Sequence, residues 1–276
     1  MKKVDFHVHT NFSDGLLSPK DVVKRASKNG VSILAITDHD TIDGISEAIE
    51  ESKLHNIKII PGIELSTNYN GESIHVLGYF KNDSYKEKEF VEFLDKIKNR
   101  RIHRAKEMIQ KLKDVFNIEI KFEDVIKYGE NVVARPHIAK AIIDAGYPYT
   151  QDYIFDNFIG KGKPAYIETT KITVKEGVDL LHKYNALVFL AHPILINNSN
   201  ISDFLKFNFD GIEGVYFLNS KTQEKELLDF ASKNNLLVSA GSDCHGDFIN
   251  DSRHGDIGDM NLDENYINLI LEKLNC

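Results

Sequence analysis

Histidines and carboxylates recur along this chain where apolar runs end. They are His7 and His9 in Val4-Asp5-Phe6-His7-Val8-His9, Asp14 in Ser13-Asp14-Gly15, His39 in Thr37-Asp38-His39-Asp40 and Glu64 in Gly62-Ile63-Glu64. His75 in Ile74-His75-Val76, His192 in Ala191-His192-Pro193, and Asp243 and His245 in Ser242-Asp243-Cys244-His245 complete the set. Side chains two apart on a strand share a face, so His7 and His9 can hold one ion together. The set offers enough nitrogen and oxygen donors for more than one divalent ion, and it lacks the Cys pair that usually closes a structural zinc site. It therefore reads as a catalytic multinuclear centre.

The neighbours of these residues sort by the same reasoning. Asp5 lies on the strand face of His7 and His9 and is expected to orient an imidazole, as carboxylates often do at metal sites. Asp38 and Asp40 share that expectation, with loop capping before Gly44 as an equal alternative. Cys244 alternates away from Asp243 and His245 and reads as a small packing residue. His55, His103 and His182 stand on helical stretches outside the motifs and read as solvated or hydrogen-bonded side chains.

The elements that must position these groups alternate in type. Apolar runs predict strands over 4–9, 32–37, 58–65, 186–191, 211–216 and 236–241. Helical patterns are predicted over 19–28, where Ser18 caps and Pro19 opens the helix, and over 44–55, 174–184, 201–207, 221–234 and 263–274. Such βα repetition implies parallel strands covered by helices. Donors drawn from many strands must converge, which favours barrel closure, because the C-terminal strand ends then face one mouth. The segment 96–163 breaks the alternation with helices through Arg101 and Met108, near 122–127, from Arg135 and over 151–159. It reads as a small helical insertion domain beside a barrel formed by 1–95 and 164–276.

Composition narrows the class. With 42% hydrophobic and 28% charged residues over 276 positions, the chain can bury a substantial core. No apolar stretch approaches the roughly 18 residues that span a bilayer, and Met1-Lys2-Lys3 runs directly into a predicted strand, so no membrane association is expected. Two cysteines, Cys244 and Cys276, give no disulfide framework, and a reducing cytoplasm is the expected compartment. A net charge of -8 argues against coating long duplex nucleic acid. Bound cations would reverse the local sign, leaving a small phosphorylated substrate or a strand end open as partner.

The ordered motifs resemble those of the PHP (polymerase and histidinol phosphatase) phosphoesterases: His-x-His in His7-Val8-His9, Thr-Asp-His in Thr37-Asp38-His39, His-Pro in His192-Pro193 and Asp-x-His in Asp243-Cys244-His245. The resemblance runs from about Lys2 to Gly246. It implies a distorted (βα)7 barrel with two to three divalent ions, Mn, Fe or Zn, at its mouth. By resemblance, one ion is held by His7, His9, Glu64 and Asp243, a second by Glu64, His75 and His192, and a third by Asp14, His39 and His245. Some relatives carry His where this chain has Asp14, a harder donor. The chemistry implied is phosphate ester hydrolysis by a metal-bound hydroxide, with no side chain singled out as proton donor.

The helical insertion resembles that of a branch containing nucleoside 3',5'-bisphosphate phosphatases and 5' to 3' exoribonucleases, so a small nucleotide or a short RNA 5' end is the expected substrate. Arg135-Pro136-His137 opens a predicted helix where a phosphate can sit, and in that branch the Arg is expected to face a second phosphate. Lys163, in Gly160-Lys161-Gly162-Lys163, is a further candidate for anion contact or simply part of a basic turn. Arg101 and Arg104, one turn apart in a largely solvated basic stretch, can reach one phosphate. Arg253 and His254 are candidate rim residues. The competing readings are a histidinol phosphate phosphatase, a proofreading 3' to 5' exonuclease, disfavoured without a polymerase domain, and a noncatalytic metal-binding scaffold, disfavoured because every motif position keeps a competent donor.

Overall fold

The structure is a computed structural model and describes residues 2–128, 133–168, 171–249 and 251–275. Strands β1 (Val4–Asp5), β2 (Ile33–Ile36), β3 (Lys58–Tyr69), β4 (Glu72–Phe80), β5 (Ile172–Thr173), β6 (Ala186–Leu190), β7 (Gly211–Tyr216) and β8 (Leu237–Gly241) form one sheet. Its order is β1-β2-β3-β4-β6-β7-β8, with β5 paired aside on β3. The ends of that path meet: Phe6 N–H donates to the Ala240 carbonyl at 3.0 Å, Asp243 N–H to His7 at 2.9 Å and His9 N–H to Cys244 at 3.0 Å. The result is a distorted, nearly closed seven-stranded barrel.

Parallel pairing holds for β1/β2, β2/β3, β6/β7 and β7/β8, but β4 is antiparallel to both of its neighbours. Asn70 and Gly71, at φ 50 and 81, turn the chain back on itself. Two successive positive φ values are what a tight hairpin between right-twisted strands requires. The hairpin brings Glu64 and His75 onto neighbouring strands within a single turn of chain.

Helices α1 (Pro19–Lys28), α2 (Ile45–Ser52), α7 (Val174–Lys183), α8 (Lys221–Lys233) and α9 (Glu264–Lys273) flank the barrel, and four further helices, α3 (Lys88–Phe116), α4 (Phe122–Ile126), α5 (Arg135–Asp144) and α6 (Gln151–Ile154), belong to the segment between β4 and β5. Ser18 Oγ accepts from Asp21 N–H, while Thr173 with Glu176 and Ser220 with Gln223 close capping boxes. Each cap satisfies donors that a helix leaves open at its start. The stretch Ile201–Phe207 is a 3-10 helix in place of the expected α-helix. The strands between these helices are buried on both faces, as in β2 and β6, which is why they read as continuous apolar runs.

A second hydrophobic cluster is built by α3 (Lys88–Phe116), α4 (Phe122–Ile126), α5 (Arg135–Asp144), α6 (Gln151–Ile154) and the π-helical turn Phe155–Ile159. Phe90 and Leu94 of α3 pack into the barrel core, while Ala105, Met108 and Leu112 of the same helix pack into the second cluster. The two cores are thus joined through one continuous 29-residue helix.

Candidate metal centre

The nine motif donors converge at one end of the barrel, around Glu64. Its Oε1 lies 2.9 Å from His75 Nδ1 and 3.0 Å from His192 Nε2. Its Oε2 lies 3.0 Å from His39 Nδ1, 3.2 Å from His9 Nε2 and 3.3 Å from His7 Nε2. Asp243 Oδ1 faces the same pair, 3.0 Å from His9 and 3.3 Å from His7. Asp14 Oδ1 stands 3.3 Å from His245 Nε2 and 3.6 Å from His9 Nδ1.

Donor atoms fall into groups of metal-binding dimensions: His7, His9, Glu64 and Asp243; His9, Asp14, His39 and His245; His39, Glu64 and His75; and Asp243, His245 and His254. The first group coincides with one ligand set implied by the resemblance. His9 and His39 each belong to two groups, so adjacent ions would share a wall of donors. His254 joins the cluster as well, its ring centroid 4.2 Å from that of His245 and its Nε2 3.5 Å from Asp243 Oδ2.

The donor set fits divalent ions on its own chemistry. Asp14 Oδ1, His39 Nδ1, Glu64 Oε2 and Asp243 Oδ1 are buried without a hydrogen-bond partner, which is unfavourable for a polar atom unless a cation satisfies it. Burial alone would raise the three carboxyls. The imidazoles of His39 and His7 on Glu64, His7 and His9 on Asp243, and His39 and His245 on Asp14 instead hold them well below the usual carboxylate range. Burial pushes His39 down to about 3. His9, despite burial, is carried up to about 10 by the carboxylates of Asp243 and Glu64 that face its Nε2. Ligating imidazoles must be neutral, so ions bound here would displace the protons that His7 and His9 hold.

Supporting residues come from strands that hold no donor. Glu213 of β7, fully buried, lies 3.0 Å from His7 Nδ1 through Oε1 and accepts His192 N–H at 2.7 Å through Oε2. Tyr216 donates its hydroxyl to Asp243 Oδ2 at 3.1 Å. Gly241 leaves room for this packing, because a Cβ there would stand 2.2 Å from Glu213 Oε1 and 2.3 Å from His7 Cβ. Asp40, His192 and Asp243 have φ of 53, 27 and 54, a strained region for residues other than glycine and one often found at functional sites.

The three carboxylates expected to orient imidazoles act on other groups. Asp5, pushed up to about 6 by burial, accepts the backbone N–H groups of His7, Ser242 and Gly258. It sits one step deeper in the barrel, and the carboxylate that reaches the His7 ring is Glu213. Asp38 accepts Thr10 N–H and Oγ1 and Ser13 Oγ, fixing the loop that carries Asp14. Asp40 accepts Ser66 N–H and the Arg101 guanidinium. Neither Asp38 nor Asp40 caps α2, whose N-cap is Gly44.

Beyond Asp40 a cationic wall begins. Arg101 also donates to Ser66 Oγ at 2.9 Å. Lys171 Nζ donates to Ser73 Oγ at 2.5 Å, and that hydroxyl lies 3.4 Å from His75 Nε2. Arg104 and Arg135 flank Tyr166, at 5.5 and 5.7 Å from its ring centroid. Burial, then repulsion from Arg101, Arg135 and Arg104, pushes Lys171 down to about 8. Burial and the charge of Arg135 likewise lower Arg104 to about 10. Asp40 offsets Arg101, and the positive charge left on Arg104, Arg135 and Lys171 favours an anion.

A model of the PHP domain matches residues 5–249. The chain belongs to the PHP domain family. It is accordingly a metal-dependent phosphoesterase. Among PHP relatives, a 5'-3' exoribonuclease from Haemophilus influenzae is 32% identical over 88% of this chain and 90% of its own length. A 3',5'-nucleoside bisphosphate phosphatase from Chromobacterium violaceum is 27% identical over 89% and 88%. A solved structure from Chromobacterium violaceum, described as an amidohydrolase with bound sulfate and no metal, superposes with a TM-score of 0.85 at 25% identity, covering 99% of this chain and 96% of that one.

The remaining candidates lie at varied places around this PHP centre. His137, at the start of α5, is buried, its Nδ1 engaged by Ala134 N–H and its Nε2 unpartnered, with Asp14 and Arg101 as its electrostatic neighbours. His254 is held by Asp251 at 2.6 Å. Lys163 is exposed in a turn closed by its own N–H to Gly160, and Arg253 is exposed with its N–H on Asp251; no contact of either with the cluster is found among the described residues. Cys244 is buried and its thiol is pushed up to about 12 by burial. His55, His103 and His182 pair with Glu51, Glu107 and Asp210 away from the centre. Sequence reasoning missed Glu213 and Lys171. A carboxylate inside the apolar strand Gly211-Ile212-Glu213-Gly214-Val215 was a readable signal for the first, and nothing local marks the second.

Proposed function

We propose that this chain hydrolyses phosphate esters of nucleotides that carry a second phosphate: a nucleoside 3',5'-bisphosphate, or the 5' end of a short RNA. The observation that carries the reading is the cationic wall of Arg101, Arg104, Arg135 and Lys171 standing directly beside the nine-donor cluster, joined to it through Asp40 and through Ser73 to His75. A simple phosphomonoester needs only the metals. Further cations beside the cluster match a second phosphate group on the same substrate. The relatives named as a bisphosphate phosphatase and an exoribonuclease support the same reading, since both substrates present a nucleoside between two phosphates.

Two to three ions, Mn, Fe or Zn, would be held by His7, His9 and Asp243, by His75 and His192, and by Asp14, His39 and His245, with Glu64 reaching between groups. When bound, such ions supply Lewis acidity to the phosphoryl oxygens and activate water. The chain's own residues do the rest. Arg135, Arg101 and Lys171 fix the remote phosphate, and His137 Nε2 offers a further polar contact beside Asp14. Glu213 and Tyr216 keep His7 and Asp243 in place while the barrel wall shuts out bulk solvent. The enzyme would work in the reducing cytoplasm with Cys244 as a free thiol.

The test is manganese-supplemented turnover of adenosine 3',5'-bisphosphate and of a short 5'-phosphorylated RNA, beside histidinol phosphate. Release of phosphate or mononucleotides, lost in an Asp243→Ala, His245→Ala double variant, is the expected result. Turnover confined to histidinol phosphate would overturn it.

A further inference from the structure

We infer that a cavity beside His245 and His254 seats the nucleobase of the nucleotide whose phosphate ester lies at the metal centre. This inference rests on the function proposed above and specifies how that substrate is oriented. The cavity, about 310 Å³, is lined by Phe217, Phe248, His254 and the carboxylates Asp251, Asp256 and Asp259. It shares His245 with the donor cluster, so a group bound there is contiguous with the reacting centre. Its volume is at the low end of ligand sites, about 300 to 1,000 Å³, which suits one planar base better than a larger group.

The charge of its lining decides what can enter. Arg25, the cation among the lining residues, is committed: Nε and Nη2 each donate to Asp256 at 2.6 Å, and its guanidinium lies over the Phe248 ring. The carboxylates therefore outnumber the positive charge, and a phosphate is repelled. The Phe217 ring, the face of Phe248 that Arg25 leaves open and a carboxylate rim instead favour a neutral, flat heterocycle with N–H donors, which stacks on the rings and donates to the oxygens. Phe217 and Phe248 are 36% and 42% exposed, so their rings are presented to the cavity and not consumed by the core.

The position of the cavity completes the argument. The cationic wall contacts Asp40, Ser66 and Ser73, at the β2–β3–β4 side of the mouth, whereas the cavity lies against the turn after β7 and the loop after β8. With the strand order β1-β2-β3-β4-β6-β7-β8, those sides face one another across the donor cluster. One side takes phosphate and the other takes base. Phe217 is fixed for this use by Gly255, whose N–H donates to the Ser242 carbonyl at 2.8 Å and where a Cβ would stand 2.9 Å from the ring.

The experiment compares adenosine 3',5'-bisphosphate with the abasic 1-deoxyribose 3,5-bisphosphate on the manganese-loaded full chain, and records in parallel the fluorescence of a 2-aminopurine nucleoside 3',5'-bisphosphate on binding. Wild type should prefer the nucleotide by about 10-fold or more in kcat/KM, the scale of one base stacked on an aromatic ring. Phe217→Ala and Phe248→Ala should each collapse that preference toward one and abolish the quench, while Phe217→Tyr keeps both. Leu218→Ala, on the same turn but outside the lining, should change neither. Equal turnover of the abasic compound by wild type, or a preference that survives both alanine variants, would overturn the inference while leaving phosphoesterase activity standing. Should no phosphate ester be hydrolysed, the proposed function fails, and the quench alone decides the cavity: present and lost in Phe217→Ala supports it, absent in wild type overturns it.

Discussion

Glu64 is approached by five imidazoles, those of His7, His9, His39, His75 and His192, and their geometry depends on groups that touch no phosphate. Glu213 is the clearest of these, since it holds the His7 ring through one oxygen and the His192 backbone through the other. Glu213→Gln should preserve the volume but weaken the imidazole's orientation and basicity, lowering metal affinity about 10- to 100-fold. Competition against a chromophoric chelator measures that directly, and unchanged affinity would show that Glu213 is only a packing group. The donors themselves were legible in the sequence because His and carboxylate at strand ends are too unfavourable to bury without a use. Their supports were less so: Asp5, expected to orient a ring, binds backbone N–H groups, and only the position of β7 across the barrel reveals which carboxylate reaches His7.

Most strands and helices of the barrel were readable, because the Ser18-Pro19 start and unbroken apolar runs are local signals. Strand β4 was not predicted, nor was its antiparallel pairing, although Asn70-Gly71 carries the turn chemistry for a hairpin; the surrounding βα alternation pointed toward parallel strands only. Helix α3 spans both hydrophobic clusters, a tertiary fact invisible to periodicity. Its Arg101 and Arg104 stood out from a basic stretch as one turn apart and able to reach one phosphate, but their gathering with Arg135 and Lys171 depends on the approach of α5 and of the chain before β5. Lys171 carries a pH prediction. Its folded pKa, about 8, lies below the ordinary 10.5, so the folded state sheds this proton first, and the group's contribution to stability grows as pH rises from about 8 toward 10.5. A bound second phosphate favours the charged form. The KM for a bisphosphate should therefore climb as pH passes about 8, and Lys171→Arg, which stays charged, should flatten that rise between pH 7 and 9.5. Identical profiles for the two proteins would remove Lys171 from substrate binding.

Across the whole chain, a net charge of -8 coexists with a local excess of cations beside the donor cluster. The global sign argued against nonspecific coating of nucleic acid without saying where a phosphate would go. No helix among the described residues is long and apolar enough to cross a membrane. Because buried carboxylate oxygens of Glu64, Asp14 and Asp243 lack hydrogen-bond partners, ions that bind the folded chain should stabilise it by mass action, about 2.7 kcal/mol at a free concentration 100 times Kd. Thermal unfolding followed with and without EDTA should show the metal-loaded protein melting several degrees higher, and a Glu64→Gln variant should lose most of that difference.

The most direct measurement is a manganese titration of the metal-free protein, following ion stoichiometry and phosphate release from adenosine 3',5'-bisphosphate in the same samples. Hydrolysis should appear only once more than one ion is bound, disappear on chelation, and be absent in Glu64→Gln at matched manganese. Turnover that survives chelation, or full occupancy by ions without hydrolysis of any nucleotide, would contradict a multinuclear phosphoesterase centre built on these nine donors.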